Sequence, residues 1–367
     1  MKIKLTPKLK IGLLALAVFG LASCRKDDDE PTTIVQPVSA GVYVLNEGGW
    51  GAKNSSVSYY EFLSSKTTEN IFSDANSGAK LGDTGQDIYI YGSKTYISVN
   101  GSNNVVVINT KTAKLIKSIT LNAVGAATAF PRYLAASNGK VFVSAFDDNV
   151  YVLDTVSLSV QKIIPVGADP EGLAVVGSKL YVANSGGYND PADSTVSVID
   201  INTLTELKKV KVGLNPNQVV ADQYGDIYVT TRGDYEHIKA NLYRINTSTD
   251  VAIALNIPAT GIAIKGDIAY IYKANYSKIT QSYDDIGYLT LNVKSEITGG
   301  NFIKDGTENS FYTAYGIAID PVSGDIFIAD AGDYQNRGTV YCLGSDGKKK
   351  YSFTAGVIPS RFAFYIK

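Results

Sequence analysis

One phrase recurs seven times along this chain. It reads DIYIYGSKTYISV at 87–99, YLAASNGKVFVSA at 133–145, GLAVVGSKLYVAN at 172–184, QVVADQYGDIYVTT at 218–231, GIAIKGDIAYIY at 261–272 and GIAIDPVSGDIFIAD at 316–330. Each copy joins two apolar stretches through a polar turn containing Gly, and the second stretch is rich in Tyr, Val and Ile. The seventh copy is divided. Its second half is GVYVLN at 41–46 and its first half RFAFYI at 361–366. A unit this short cannot bury its own apolar faces, so copies must stack on neighbours. The position two before each phrase recurs at spacings of 46, 39, 46, 43, 55 and 45. Strand-like alternation argues against helical repeats, and four short strands at this period make propeller blades. The expectation is an all-β, seven-bladed β-propeller over residues 40–367. Its ring is closed by a C-terminal strand at 359–366 that pairs with the N-terminal blade and removes the exposed strand edges.

Residues 1–23 read as a targeting segment. Lys2, Lys4, Lys8 and Lys10 form a basic start, Ile11 to Leu21 an apolar core too short to span a bilayer, and Leu21-Ala22-Ser23-Cys24 follows. That ending resembles the lipobox of bacterial lipoproteins, in which the cysteine is lipidated and becomes the first residue. The alternative is an ordinary signal peptide with an incidental Cys. Residues 24–39 then form a tether after lipidated Cys24. Its acidic start, Asp27-Asp28-Asp29-Glu30, resembles the export signal of Bacteroidetes surface lipoproteins and otherwise reads as a solvated linker. Together these imply a protein lipid-anchored in the outer membrane and facing the exterior, touching the membrane only through its anchor. Loss of residues 1–23 removes four lysines and no acid, taking the formal charge from −1 to about −5. With no basic stripe either, nucleic acid is not an expected partner.

The two faces of such a ring are treated differently. Lettering the strands of a blade a to d from centre to rim, the a–b turns are minimal and the c–d turns repeat one Asn/Asp-Thr/Ser chemistry. The b–c loops, in contrast, are long and variable. They place Trp50, Phe146, Tyr188, Tyr235, Tyr276, Tyr283 and Tyr334 beside polar residues such as Asp147 and Arg232. Long loops on a rigid frame concentrate binding residues, and Tyr and Trp give contact area at low entropic cost. The residues opening strand a are expected to ring the central channel on the same face: Gln86, Arg132, Glu171, Asn217, Thr260, Tyr315 and Ser360. An aromatic collar around mixed donors and acceptors suits a large polar small molecule.

Catalytic chemistry is not apparent. His237, the one histidine, lies in a polar loop with no nucleophile motif nearby, and no metal-ligand cluster or phosphate loop occurs. The pairs Asp147-Asp148 and Asp284-Asp285 read first as solvated acids, with an acid–base pair or a calcium site as the alternative. Cys342, in the strand TVYCL, reads as a small buried apolar residue. No enzyme, resident cofactor or metal is expected.

The segments Leu180-Tyr181-Val182-Ala183-Asn184 and Ile227-Tyr228-Val229-Thr230 resemble the repeat of YVTN, or YncE-like, propellers. NEGGWGAKNSSVSYY at 46–60 and GIAIDPVSGDIFIADAGDYQNRGTVY at 316–341 resemble the DUF5074-type surface lipoproteins of Bacteroidetes, a group that includes the BtuG-type cobalamin-binding propellers. The resemblance runs from about residue 40 to the end. It implies capture of a corrinoid such as cobalamin and transfer to a TonB-dependent outer-membrane transporter. It carries over two segments, one around Asn46, Glu47, Trp50 and Asn54 and one around Asp330, Asp333, Tyr334 and Gln335. A protein-interaction or adhesion propeller is the alternative. A carboxylate-dependent, metal-assisted hydrolase such as a lactonase is a third, and needs acids from several blades around one cation.

Overall fold

The computed structural model describes residues 36–122 and 128–367. The expected targeting segment, Cys24 and most of the tether lie outside the described residues. Pro37–Lys367 forms one compact unit.

The second half of each phrase becomes strand b, and its alternation determines packing. In Lys140–Ala145, Val141, Val143 and Ala145 pack toward the preceding blade, while Phe142 packs on Leu173, Leu180 and Val182 of the following one. Both faces of the middle strands are therefore buried, which is why they read as β-branched and aromatic runs. Every large side chain so placed stabilises the fold by about 1.5–3 kcal/mol. An aromatic residue sits at one equivalent position of strand b in every blade, as Tyr43, Tyr96, Phe142, Tyr181, Tyr228, Tyr270 and Phe327. Three of their hydroxyls reach the c–d turn of the next blade. Tyr43 donates to the carbonyl of Thr110, Tyr181 to Asp250 Oδ1 at 2.8 Å and Tyr228 to the carbonyl of Val293 at 3.2 Å. The repeated aromatic thus ties blade to blade.

Among the described residues the strands form seven four-stranded antiparallel sheets, each ordered a to d. Blade one is composite. Its strand a, Pro359–Ile366, pairs with strand b, Ser39–Asn46, in the register Val42↔Phe364 and Val44↔Phe362. The divided phrase closes the ring as its sequence requires.

The c–d turns follow the expected chemistry. Asn109 Oδ1 accepts from the amides of Lys111 and Thr112 at 3.0 Å, and Asp154, Asp200 and Asn246 repeat the arrangement. Two features depart from the sequence reading. The segment bearing Tyr276 and Tyr283, expected as a b–c loop, is a β-hairpin: strands Ile268–Ser277 and Ser282–Asn292 pair through Tyr276↔Tyr283 and Ser277↔Ser282. Its polar composition belongs to a two-stranded ribbon solvated on both faces. Strand d is also cut to Lys66–Thr68 in blade one and Ile297–Thr298 in blade six. The segments that follow supply the missing apolar cover through Phe72, on a short helix at Ile71–Ala75, and through Phe302, Ile303 and Phe311.

Candidate functional site

Strand a begins irregularly in blades one to five and in blade seven. In blade three Pro131 pairs with Ala145 and Leu134 with Val143, so Arg132 and Tyr133 together oppose Ser144. Gln86, Tyr315 and Ser360 are the extra residues of equivalent bulges in blades two, seven and one. A bulge turns a side chain out of the normal alternation. The residue just before strand a adopts a left-handed conformation at Thr84, Phe130, Asp169, Asn215 and Ile358. For β-branched Ile358, with φ of 56°, that is a strained geometry the ring must hold in place.

These bulges surround a cavity of about 510 Å³ at the mouth of the channel, within the range of small-molecule sites. Gln86, Arg132, Asn217, Thr260 and Tyr315 line it as expected. Arg132 is held through all three of its nitrogens. Its Nε and Nη2 donate to Glu171 Oε2 and Oε1, each at 2.9 Å, its Nη1 donates to Gln86 Oε1, and the Phe146 ring lies 4.3 Å from its guanidinium carbon. Glu171 sits buried beneath it, and Arg232 Nη1 approaches the same carboxylate at 3.9 Å. Four successive blades, two to five, thus contribute one polar chain: Gln86, Arg132, Glu171 and Arg232.

Above the ring stands the collar. Tyr235, Tyr276, Tyr283, Tyr334 and Tyr315 form a continuous arc from blade five to blade seven. Ring centroids are 6.4 Å apart for Tyr235–Tyr276, 5.5 Å for Tyr276–Tyr283 and 5.6 Å for Tyr334–Tyr315, and the Tyr283 and Tyr334 hydroxyls lie 3.2 Å apart. Across the mouth stand Phe146 and Tyr188, edge to face at 5.5 Å, and Trp50 beside Phe130 at 6.4 Å. Tyr188 and Trp50 are 81% and 70% exposed, so they offer contact surface that no protein group covers.

Four of the expected ligand contacts do other work. Asn54 Oδ1 accepts from the amide of Gly49 at 2.9 Å and folds its own loop. Asp333 Oδ1 accepts from the amides of Gln335 and Asn336, while Asp234 does the same for Glu236, His237 and Ile238. These backbone bonds hold both carboxyls below the usual carboxylate range. Both follow Gly and precede a Tyr in left-handed conformation, Tyr235 or Tyr334, so two Gly-Asp-Tyr loops present their tyrosines identically. Asp147 accepts from the Tyr151 hydroxyl at 2.5 Å, and burial raises its pKa. Glu171 serves as the counterion below the cavity.

Ser360 is also displaced. It is buried, and its neighbour Arg361 lines the cavity instead, donating to the Tyr133 hydroxyl with its guanidinium 4.7 Å from that ring. Arg361, Tyr133, Tyr272 and Glu47 line the cavity without having been expected there as single residues. The bulge is the physical reason for Arg361 and Tyr133, since it lets a second residue of strand a face the channel. A Pro two residues ahead, as in Pro131-Arg132-Tyr133 and Pro359-Ser360-Arg361, is the sequence signal that marks it. Burial raises the pKa of Glu47, which accepts from the Tyr315 hydroxyl at 3.3 Å. Asp87 is raised to about 6 by burial, with Arg361 and the amide of Leu134 pulling the other way.

Residues 40–353 match the family model of DUF5074, a domain of unknown function. The chain belongs to that family. This domain and its seven blades fit the YncE-like propellers. Among solved structures, this DUF5074 propeller is similar to a quinonprotein alcohol dehydrogenase-like protein of Bacteroides thetaiotaomicron at 14% identity, with a TM-score of 0.64 over 90% of this chain and 79% of that one. Hydrazine synthase of Kuenenia stuttgartiensis aligns at 16% identity and a TM-score of 0.61, over 76% and 88% of the two chains. BamB of Moraxella catarrhalis aligns at 14% and 0.53, over 89% and 90%. At such identities the likeness concerns the fold. No curated protein matches the chain.

Proposed function

We propose that this propeller captures a large polar nutrient of the corrinoid class on its b–c face and passes it to a TonB-dependent outer-membrane transporter, from a lipid anchor at Cys24. The observation that carries the reading is the cavity itself. A collar of exposed aromatics surrounds a ring of fixed amide, guanidinium and hydroxyl donors, so a broad ring edged by amides finds both stacking area and hydrogen-bond partners. A corrinoid is larger than 510 Å³, and would be held across the mouth with only part of it in the channel.

Titration calorimetry with cobalamin and cobinamide tests the ligand. Heat of binding that Tyr276→Ala and Tyr188→Ala reduce supports the corrinoid, and its absence at micromolar protein removes that class. Radiolabelled palmitate entering the wild-type chain and not Cys24→Ser would support the anchor, and co-purification with a TonB-dependent receptor the transfer step.

A second reading, as a protein-interaction propeller, is favoured by one observation. Ile279 and Ile286 on the blade-six hairpin are 68% and 60% exposed, an apolar edge beside the mouth. The hydrolase reading has no such support. Glu171 lies between two arginines, and among the described residues no group of three His, Cys, Asp or Glu residues is placed to hold a metal ion.

A further inference from the structure

Arg361 lines the cavity, yet among the described residues no carboxylate is in ion-pair contact with it. Its one hydrogen bond runs to the Tyr133 hydroxyl, and its Nε has no partner. Arg132 beside it is held by Glu171 and Gln86, and Arg132 and Arg232 share the single carboxylate of Glu171. Asp87 and Glu47 act on Arg361 through space but not by contact, Asp87 accepting from the amide of Leu134 and Glu47 from the Tyr315 hydroxyl. Tyr133 lies in the field of all three arginines. The distant acids balance its charge, but a guanidinium withdrawn from bulk water keeps donors that no contacting anion takes, and such unmade bonds are costly. Asn217 adds a second donor on the same ring, with its Nδ2 also unpartnered.

We propose that Arg361 is the seat for an oxyanion of the ligand, a carboxylate or phosphate group that enters the channel below the aromatic collar and takes the guanidinium as its partner. Planar, forked donors suit such two-oxygen groups. The inference rests on the capture reading only for the place of the ligand. It restricts the ligand to one that carries an anionic arm as well as a broad face for the collar.

Inorganic phosphate and acetate are the probes. In protein labelled with ¹⁵N-arginine, the Arg361 Nε signal is followed during addition of either anion, against sodium chloride at equal ionic strength. A saturable shift specific to phosphate or acetate, with the affinity at least tenfold weaker in Arg361→Gln as judged by thermal shift, supports the seat. A shift that never saturates, or that chloride reproduces, overturns it. If Arg361→Gln fails to fold, the wild-type titration alone decides, with Arg132 Nε as the internal control that stays in place. Corrinoid failing to bind while phosphate saturates removes the corrinoid and keeps the seat. Corrinoid binding equally to wild type and Arg361→Gln, without phosphate saturation, keeps capture and removes the seat.

Discussion

The arginines of the channel differ in how they are held. Arg132 and Glu171 make a bidentate pair largely withdrawn from solvent. Such pairs contribute little net stability while intact, but removing one partner strands a buried charge. Arg132→Ala is therefore expected to cost about 3–5 kcal/mol, read from urea unfolding. Arg232 remains 3.9 Å from the orphaned carboxylate and sets the lower end of that range. Asp87 gives a second measurement. Its folded pKa, about 6, lies above the ordinary 3.8, so the native state binds the proton more tightly than the unfolded chain. Its contribution is full below about pH 4 and is lost as pH rises toward 6. Asp87→Asn keeps an acceptor for the Leu134 amide without the charge. Its melting temperature relative to wild type should climb between pH 4 and 6 and then level. A flat difference across that window would show that Asp87 ionises without penalty.

Strand a carries both the closest packing and the functional side chains. A Cβ on Gly172 would lie 2.4 Å from the Asn217 carbonyl oxygen, and one on Gly316 2.0 Å from that of Ser360. Adjacent inner strands touch backbone to backbone there, leaving nothing flexible to yield. Gly316→Ala should destabilise by at least ~1–3 kcal/mol and disturb Ser360 and Arg361 beside it, seen as a lower melting temperature together with a shifted Arg361 Nε signal. The blade-six hairpin is the opposite case. It leans on blade five through the Lys278 amide, 2.9 Å from the Tyr235 carbonyl, and its tip is otherwise exposed. Replacing residues 275–284 with a two-residue turn should leave the melting temperature within a few degrees, because little apolar area is lost. The same change should weaken corrinoid binding at least tenfold, because Tyr276 and Tyr283 leave the arc. These two elements also show what was legible in the sequence. Strand b and the Asn/Asp turns repeat because packing and local hydrogen bonding dictate them, and residues such as Val141, Phe142 and Asn109 were readable alone. The bulge of strand a depends on pairing with a neighbour. Gln86 and Arg132 were therefore foreseen, whereas Tyr133 and Arg361, one residue further on, were not. Asp333 and Asn54 looked like ligand contacts because their role, closing a loop on its own amides, leaves the same acidic or amide signature as a binding residue.

Seen whole, the ring is a circle of similar blade-to-blade interfaces with one covalent gap, inside blade one, between its strand a at the C-terminal end of the chain and its strand b at the N-terminal end. Blade one is held together across that gap without a covalent link, by strand pairing, by bonds such as the Gly356 amide to Asn46 Oδ1 at 2.9 Å, and by Val42 and Val44, which share one apolar cluster with Phe362, Phe364 and Phe327 of blade seven. Every other blade is a continuous hairpin series, so blade one is the natural place for the ring to open. Cys342 reports on such opening. It lies fully buried in blade seven in the same cluster as Val42, Val44 and Phe364, and burial pushes its thiol up to about 12. A thiol in that state reacts only when the interface parts. With Cys24 replaced by Ser, labelling of Cys342 by a disulfide reagent should be slow and should follow the population of the opened ring. Phe364→Ala weakens the closure by ~2 kcal/mol, and labelling should then accelerate about 30-fold. Leu153→Ala, in the interface between blades two and three, lies away from the gap and is the control, with labelling compared at equal loss of global stability. If opening begins at blade one, Phe364→Ala speeds labelling well beyond Leu153→Ala in native buffer. Equal acceleration by both would mean that the seven blades part together and that the joined ends are no weaker than any continuous interface.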